Sequence, residues 1–446
     1  MPLKTWKLLL AAVLAAVMSA SFAPVSYANP NEPVVEPTTE PVACTANKAM
    51  AKKTLGKFHA YVINVDTGEV LVDVLGKELT PSASVIKTLT AVAALKKLPS
   101  EYRAITQVLA TPTEPSTLIV KGGGDFTLSR LGKGESSVYS KPPRIRNLAK
   151  QALAQLPIYL PITKIILDDS FFSGERWNPD WPRKYRKLGY VSNITSIQAD
   201  GDRVQPNRLV SSYSFRRGKD PVMTVGEAFK ESLGDRAIGA ELVLAPTPED
   251  AYVIGQVQSQ DIRKSWLGHM LTFSDNTAAE FIARHAAKAA GLEGSISGAN
   301  RVIKRSLREL GLKPTTLVIR DASGLSNENR VHAKLLAELM VKVAKGENGL
   351  DALLEWMPIA GQTGTLRYRF QGKSAISRGN VIAKTGYIPG LYGLSGIVNA
   401  ADGSRLAFAV FARSDRENGL SVTYTAQGAI DRVVTRFYSC GASLTQ

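Results

Sequence analysis

The stretch Pro81-Ser82-Ala83-Ser84-Val85-Ile86-Lys87 ends a short extended segment and leads into an apolar helix predicted from Val85 to Leu95. Ser84 and Lys87 are three residues apart, so on a helix they lie on one face and can contact each other. A serine hydroxyl becomes a nucleophile when a neighbouring base, here a lysine kept neutral by its surroundings, removes its proton. The alternative is a serine N-cap followed by a solvated lysine, and so short a motif occurs about twice by chance in a chain of this length. The stretch therefore decides the fold only if the chain also contains the other motifs that such a serine site needs.

Two later motifs are such partners. Ser274-Asp275-Asn276 interrupts a long predicted helix, and Lys384-Thr385-Gly386 lies in a predicted strand that is followed by antiparallel strands. The ordered trio Ser-x-x-Lys, Ser-Asp-Asn and Lys-Thr-Gly is characteristic of penicillin-binding proteins and related β-lactamases. Each motif alone is weak, since a strand lysine followed by a bulge glycine also explains the last one. The three in this order and in these contexts indicate a serine acyl-transfer site.

The chain resembles, more narrowly, the D-alanyl-D-alanine carboxypeptidase/endopeptidase family of low-molecular-mass class C penicillin-binding proteins (serine peptidase family S13). The resemblance extends over about residues 55–437, and this family inserts extra domains between its first two motifs. Two departures are visible: the insertion is short near residues 201–221, and Tyr387 stands where the family commonly has Ser or Thr. The further segments that carry the resemblance are Gly122-Gly-Gly-Asp-Phe-Thr-Leu128, Leu167-Asp-Asp-Ser-Phe-Phe172, Asp321-Ala-Ser-Gly-Leu-Ser326 and Gly364-Thr-Leu-Arg-Tyr-Arg-Phe370.

The resemblance and the requirements of acyl transfer imply a catalytic role for four residues. Ser84 attacks the carbonyl of the penultimate D-alanine, and Lys87 takes its proton. For this the pKa of Lys87 must be lowered, and burial and the second cation Lys384 both act in that direction. Ser274 relays the proton toward the leaving amine, while Asn276 offers its amide to the substrate backbone and to Lys87.

The same resemblance implies that the last motif binds substrate. Lys384 supplies positive potential near the terminal carboxylate, which Thr385 can hydrogen-bond, and Gly386 lets strand and substrate approach closely. The oxyanion is expected between the backbone N–H groups of Ser84 and Tyr387.

Two further residues are candidates for binding the diamino acid of the stem peptide. Asp168, in an Asp-Asp pair at a strand end, would suit its free amine, and Arg369 would suit its carboxylate. The alternative for the acidic pair is a turn, because aspartates at strand ends commonly bond the backbone of the following residues.

Composition and charge narrow the class of protein. A hydrophobic content of 44% with 7% aromatic residues suits a soluble globular protein, and 446 residues predict two or three domains. A secretory signal is predicted at residues 1–28, with an uncleaved anchor as the alternative, and no later stretch is long and apolar enough to span a bilayer. The net charge of +16, which becomes +14 without Lys4 and Lys7, suits an anionic partner such as a cell-wall polymer. Export and the lack of a nucleic-acid-binding motif exclude nucleic acid.

The chain has two cysteines and four histidines. In an oxidising compartment an even pair of cysteines predicts a disulfide, here between Cys44 and Cys440. None of the histidines adjoins a Gly-x-Ser-x-Gly elbow, and no metal-binding motif is present, so we expect neither a metal nor another cofactor.

These observations predict an α/β (α+β) protein whose β-lactamase/transpeptidase-like domain, residues 47–104 and 262–446, has an antiparallel sheet flanked by helices. Residues 29–46 form a Pro-rich linker, and residues 105–261 form an inserted, mainly-β accessory region. The N-terminal hairpin, residues 58–72, is expected to join the sheet of the C-terminal strands.

The expected function is that of a secreted or periplasmic D-Ala-D-Ala carboxypeptidase that cleaves peptidoglycan stem peptides and has β-lactams as covalent inhibitors. The sequence leaves an additional DD-endopeptidase activity open. The alternatives are a β-lactamase-like hydrolase and a non-catalytic, penicillin-sensing or wall-binding protein. The sequence leaves assembly into a homo-oligomer open.

Overall fold

The computed structural model describes residues 44–208, 215–415 and 417–446. The predicted signal peptide, residues 1–28, and the predicted linker as far as residue 43 lie outside the described residues. Within them, no helix has the length and apolar character needed to cross a membrane. The strands are β1 (Cys44–Thr45), β2 (Lys57–Asn64), β3 (Val70–Val74), β4 (Ile105–Ala110), β5 (Thr117–Lys121), β6 (Lys164–Asp168), β7 (Glu241–Leu244), β8 (Tyr252–Gln258), β9 (Val381–Ile388), β10 (Leu391–Asn399), β11 (Arg405–Arg413) and β12 (Leu444–Thr445).

In the first part of the chain, one or two strands alternate with one or two helices. Five consecutive α-helices then precede the last group of strands. The helices are α1 (Asn47–Met50), α2 (Lys87–Lys97), α3 (Ile145–Gln155), α4 (Lys184–Lys187), α5 (Pro221–Leu233), α6 (Leu267–Phe273), α7 (Asn276–Ala289), α8 (Ile296–Glu309), α9 (Ala333–Ala344), α10 (Ala352–Trp356) and α11 (Thr425–Cys440).

The central sheet is built from the C-terminal strands and the N-terminal hairpin. Strands β9, β10 and β11 are antiparallel neighbours, and β2 pairs with β3 in an antiparallel hairpin. The hairpin lies beside β11, where Gly56 forms a bridge with Arg413 and the Val65 N–H donates to the Arg405 carbonyl oxygen. The prediction that residues 58–72 join the C-terminal sheet is therefore confirmed.

Both faces of this sheet are covered, as its nearly continuous apolar strands require. Successive side chains of a strand point to opposite faces, and in β11 Ala407, Ala409 and Phe411 enter the core that contains α2, α7 and α9. The alternate set, which includes Leu406 and Phe408, enters a second core with α11. The sheet thus lies between two helical layers.

The inserted region folds around a second, mixed sheet with the strand order β7-β6-β5-β4-β8. Strands β5, β6 and β7 are parallel, whereas β4 is antiparallel to both of its neighbours. Parallel neighbours need a crossover connection, and α3 and α5 lie in the β5–β6 and β6–β7 connections. Both helices share one core with the sheet. The region expected to be mainly β therefore also contains helices, because its parallel strands require them.

A disulfide joins the two ends of the described chain. Cys44 and Cys440 are bonded with a Cα–Cα distance of 5.4 Å, and the adjoining strands β1 and β12 pair in parallel. The predicted disulfide is confirmed. Within the predicted linker, residues 29–46, Cys44 and Thr45 already form a strand. The bond closes a loop of 396 residues in sequence, so it restricts the unfolded chain strongly.

Replacing Cys44 by Ala should lower the free energy of unfolding by about 2–4 kcal/mol, because the unfolded chain regains the conformations that the cross-link removes. Urea unfolding of the wild type and the variant, each with and without dithiothreitol, measures this. The reductant should destabilise the wild type alone. Equal urea midpoints for the oxidised wild type and the variant would contradict the prediction.

Candidate active site

The Ser84 turn begins the site. Residues Ala83–Ile86 form a 3-10 turn, and α2 starts at Lys87, two residues later than predicted. The turn and the first helical residue together bring the Lys87 Nζ to 2.8 Å from the Ser84 Oγ. Ser84 is half-buried and faces a cavity, whereas Lys87 is 0% exposed. The two residues of the first motif are therefore in contact, with the hydroxyl on the open side.

Lys87 has two further hydrogen-bond acceptors. Its Nζ donates to the Asn276 Oδ1 at 2.7 Å and to the Ser323 carbonyl oxygen at 2.5 Å. Burial lowers the pKa of Lys87 to about 7, although the nearby carboxyl groups of Asp321, Asp275 and Glu280 act in the opposite direction. A substantial fraction of the amine is consequently neutral near pH 7, as a proton acceptor requires.

The second motif lies where one helix ends and the next begins. Ser274 follows α6 with a φ of +59°, in the left-handed region. The Asp275 carboxylate then caps α7 by accepting from the Ala278 N–H at 3.0 Å. Asn276 is the first residue of α7, and its Nδ2 donates to the Tyr190 carbonyl oxygen at 3.0 Å. This second bond orients the amide so that its oxygen faces Lys87.

The third motif approaches from β9. The Lys384 Nζ donates to the Ser274 Oγ at 2.9 Å and to the Thr385 carbonyl oxygen at 2.8 Å. Burial and the charge of Lys87 both lower the pKa of Lys384. Gly386 lies against the Ser84 turn, where a Cβ would be 2.9 Å from the Val85 Cγ2. The structure thus brings the three motifs, which are far apart in sequence, into one site.

A cavity of about 480 Å³ opens beside these groups. Its described lining contains no carboxylate, and its charged surface residue is Lys184, with Lys87 and Lys384 buried behind it. Such a cavity favours a ligand with a carboxylate. The lining residues are Ser84, Lys184, Tyr185, Leu188, Tyr190, Ser274, Asn276, Gly324, Leu325, Thr365, Thr385, Tyr387, Ile388 and Pro389. Elsewhere too, the part of the chain that is described has no group of three or more His, Cys, Asp and Glu side chains that could hold a metal ion.

Tyr387, the position that departs from the family pattern, lines this cavity. Its side chain is 58% exposed, and its ring packs on Tyr392 with 4.8 Å between the ring centroids. The neighbouring Thr385 hydroxyl is hydrogen-bonded to the Thr365 hydroxyl at 2.8 Å. The Thr365 hydroxyl therefore lies next to the Lys-Thr-Gly motif. It gives the motif a second hydroxyl neighbour although residue 387 is a tyrosine and not a serine or threonine.

The structure does not bring Asp168 to this cavity. Its carboxylate is 2% exposed at the end of β6 and accepts from the Ser170 and Thr247 N–H groups at 3.0 Å each. Arg369 lies beside the cleft, but it donates to the Asp431 Oδ1 at 2.6 Å. Both charged groups thus already have hydrogen-bond partners within the protein, as charged groups removed from water require.

Several contributing groups were missed by sequence reasoning. The Ser323 and Tyr190 groups are backbone carbonyls, and a carbonyl has no side-chain signature. Thr365 lies in a segment whose only signal in the sequence is its resemblance to the family. Glu280 follows Asn276 by one helical turn, and that spacing was its only signal.

The sequence model of the D-Ala-D-Ala carboxypeptidase 3 (S13) family matches residues 43–212 and 206–437. The chain belongs to the S13 family. Carboxypeptidase DacB of Mycolicibacterium smegmatis is 32% identical to this S13 chain over 409 residues, which cover 91% of the chain and 85% of that protein.

Solved structures support the predicted fold class. The crystal structure of penicillin binding protein 4 (dacB) from Haemophilus influenzae has a TM-score of 0.73 at 20% identity, with 88% of the S13 chain and 98% of that chain covered. The same protein complexed with a β-lactam has a TM-score of 0.68 at 19% identity and the same coverage. At this level of identity the likeness concerns the fold.

Gly324 offers a direct test of how tightly the Ser84 turn is held. A Cβ at Gly324 would lie 2.0 Å from the Ala83 carbonyl oxygen, so Gly324→Ala should displace the turn. Because sub-ångström placement controls reaction rates, we expect acylation by a fluorescent penicillin to slow by at least about tenfold.

Gly403→Ala is the matched control, since Gly324 and Gly403 both have a φ of +86° but a Cβ at Gly403 meets no atom within 4 Å. It should cost about 1–2 kcal/mol of stability from backbone strain and leave acylation unchanged. Equal acylation rates for the two variants would show that the contact with Ala83 is unimportant.

Proposed function

We propose that this S13 chain is an exported serine-type D-Ala-D-Ala carboxypeptidase, with DD-endopeptidase activity, that cleaves peptidoglycan stem peptides through a Ser84 acyl-enzyme. The observation that carries the proposal is the buried Lys87 amine, which lies 2.8 Å from the Ser84 Oγ. Its pKa is lowered to about 7. A nucleophile, a base of suitable pKa and an adjacent cavity are the parts that acyl transfer needs.

Acylation begins when neutral Lys87 takes the proton of Ser84. The Oγ then forms a bond to the carbonyl carbon of the penultimate D-alanine, and the carbonyl oxygen becomes an oxyanion. The backbone N–H groups of Ser84 and Tyr387 are proposed to stabilise it; both residues line the cavity.

The tetrahedral intermediate collapses when the C–N bond breaks and the amine of the terminal D-alanine leaves with a proton. That proton is the one that Lys87 took from Ser84, and Ser274 is proposed to relay it to the amine, so Lys87 becomes neutral again. The Ser274 Oγ lies 2.9 Å from the Lys384 Nζ. Water then attacks the ester, and its hydrolysis releases the shortened peptide and restores the Ser84 hydroxyl. Lys87, again neutral, accepts the proton of this water and returns it to the Ser84 Oγ as the ester C–O bond breaks.

The terminal carboxylate of the substrate is proposed to bind at Lys384 and Thr385. The lining of the cavity supports this, because cationic groups are near it and no described carboxylate competes. Gly386 supports the close approach of an extended peptide to the edge of β9.

Penicillins would react with the same serine, because the β-lactam amide presents a carbonyl to Ser84 next to a carboxylate. Penicillin binding protein 4 of Haemophilus influenzae has been crystallised with a β-lactam. A β-lactamase-like hydrolase is the second candidate, but the chain has no Glu-x-x-Leu-Asn motif for rapid deacylation. A non-catalytic sensor is disfavoured because a binder has no need of a buried amine on its serine.

The proposed location is outside the cytoplasm, secreted or periplasmic. The disulfide between Cys44 and Cys440 supports this, since such bonds persist in oxidising compartments. The peptidoglycan substrate is found there as well.

Ser84→Ala should abolish covalent labelling by a fluorescent penicillin and release of D-alanine from a pentapeptide. Lys87→Ala should slow acylation by about 10²–10⁴-fold, because it removes the general base. Ser82→Ala is the control; this neighbouring serine is buried, and its loss should leave labelling intact. Full labelling of Ser84→Ala, or a Lys87→Ala rate within a few-fold of wild type, would refute the assignment.

Acylation by the wild type should slow as the pH falls below about 7, the pKa of Lys87. Only the neutral amine accepts a proton, so well below this midpoint the rate should drop about tenfold per pH unit. Stopped-flow measurement of the acylation rate constant from pH 5 to 8 checks this. A flat profile over that range would show that Lys87 is not the base.

A further inference from the structure

Glu280 is a buried carboxyl group that the proposed acyl transfer does not use. It is 2% exposed on α7, one helical turn after Asn276. Its Oε1 accepts from the Ala322 N–H at 3.0 Å. A buried ionisable group is costly to retain, so its contacts call for an explanation.

The Ala322 contact belongs to the loop Asp321–Gly324. While the Ala322 N–H donates to Glu280, the Ala322 carbonyl oxygen accepts from the Thr90 hydroxyl of α2 at 2.7 Å. Asp321 closes the loop by accepting from the Gly324 N–H at 2.7 Å. The next carbonyl along the loop, that of Ser323, accepts from Lys87 at 2.5 Å. Glu280 and Thr90 thus hold the backbone immediately before the oxygen that contacts the base.

The position of this oxygen matters for the reactive form of Lys87. An ammonium group has three donors and no acceptor, whereas a neutral amine has two N–H groups and one lone pair. To take the proton of Ser84, the lone pair must point at the Ser84 Oγ. The two N–H groups then go to Asn276 and Ser323, so these two acceptors orient the lone pair.

We propose that Glu280 is a positioning residue that ties the Ser323 carbonyl to helix α7 and thereby directs the lone pair of Lys87 at Ser84. Asn276 lies on the same helix, so one side chain fixes both acceptors relative to each other. This inference rests on the proposed function, because it concerns the base of that reaction.

Two variants of equal length separate this role from simple filling of space. Burial, together with repulsion from Asp321, raises the pKa of Glu280 to about 8, so glutamine matches its predominant uncharged form at pH 7. Glu280→Gln retains an oxygen that can accept from Ala322, whereas Glu280→Met retains the length and loses the oxygen.

The measurement is the rate of acylation by a fluorescent penicillin against its concentration, which separates non-covalent binding from the first-order acylation step. Because the buried Ala322 N–H loses its acceptor, Glu280→Met should lower the first-order constant at least about tenfold and leave the binding constant within about twofold. Glu280→Gln should restore most of the rate. Glu338→Met, a half-exposed glutamate on α9, is the control and should behave as the wild type.

A folded Glu280→Met protein that acylates at the wild-type rate would overturn the proposal, and so would a loss confined to the binding constant. If Glu280→Met does not fold, Thr90→Val removes the other tie to Ala322 and should lower the first-order constant by about three- to tenfold; an unchanged rate would overturn the proposal equally. The failure of the proposed function looks different, because then the wild type itself releases no D-alanine from a pentapeptide.

Discussion

The arrangement of the site depends on the buried amine of Lys87. Moving an ammonium group out of water is costly unless hydrogen bonds or charges compensate, and Lys87 is 0% exposed. Its three oxygen acceptors come from the turn before α2, the start of α7 and the loop after residue 320. The amine therefore requires three distant parts of the chain to meet at hydrogen-bond distance. In return, burial lowers the pKa of the amine to about 7, as the proposed role of Lys87 as a base requires.

A second lysine shares this environment. Lys384 is buried as well, and the charge of Lys87 contributes to the lowering of its pKa. The two amines contact different serines: Lys87 bonds Ser84 and Lys384 bonds Ser274. This division suits the proposed reaction, in which one serine loses a proton and the other relays a proton to the leaving group. The adjacent cavity has no carboxylate in its described lining.

The inserted region is part of the site as well as a separate sheet. The Tyr190 carbonyl orients Asn276, and Lys184 and Leu188 form a wall of the cavity. These residues belong to the segment between strands β6 and β7 of the mixed sheet, and they line the same cavity as Ser84. The insertion thus supplies surfaces that a substrate would meet, and differences in its length would change the cavity.

The sequence by itself determined the three motifs, the hairpin that joins the C-terminal strands and the cysteine pair. These features depend on side-chain identity and on local periodicity, which a sequence displays directly.

Only the tertiary structure decided which groups complete the site. A carbonyl such as that of Ser323 is chemically the same in every residue, so its role depends on where the loop is held. The carboxylate of Asp168 and the guanidinium of Arg369 suited a ligand equally well in sequence, but Thr247 and Asp431 already bind them in the folded chain. Long-range contacts decide whether a polar group is free to bind a substrate, and a sequence does not state those contacts.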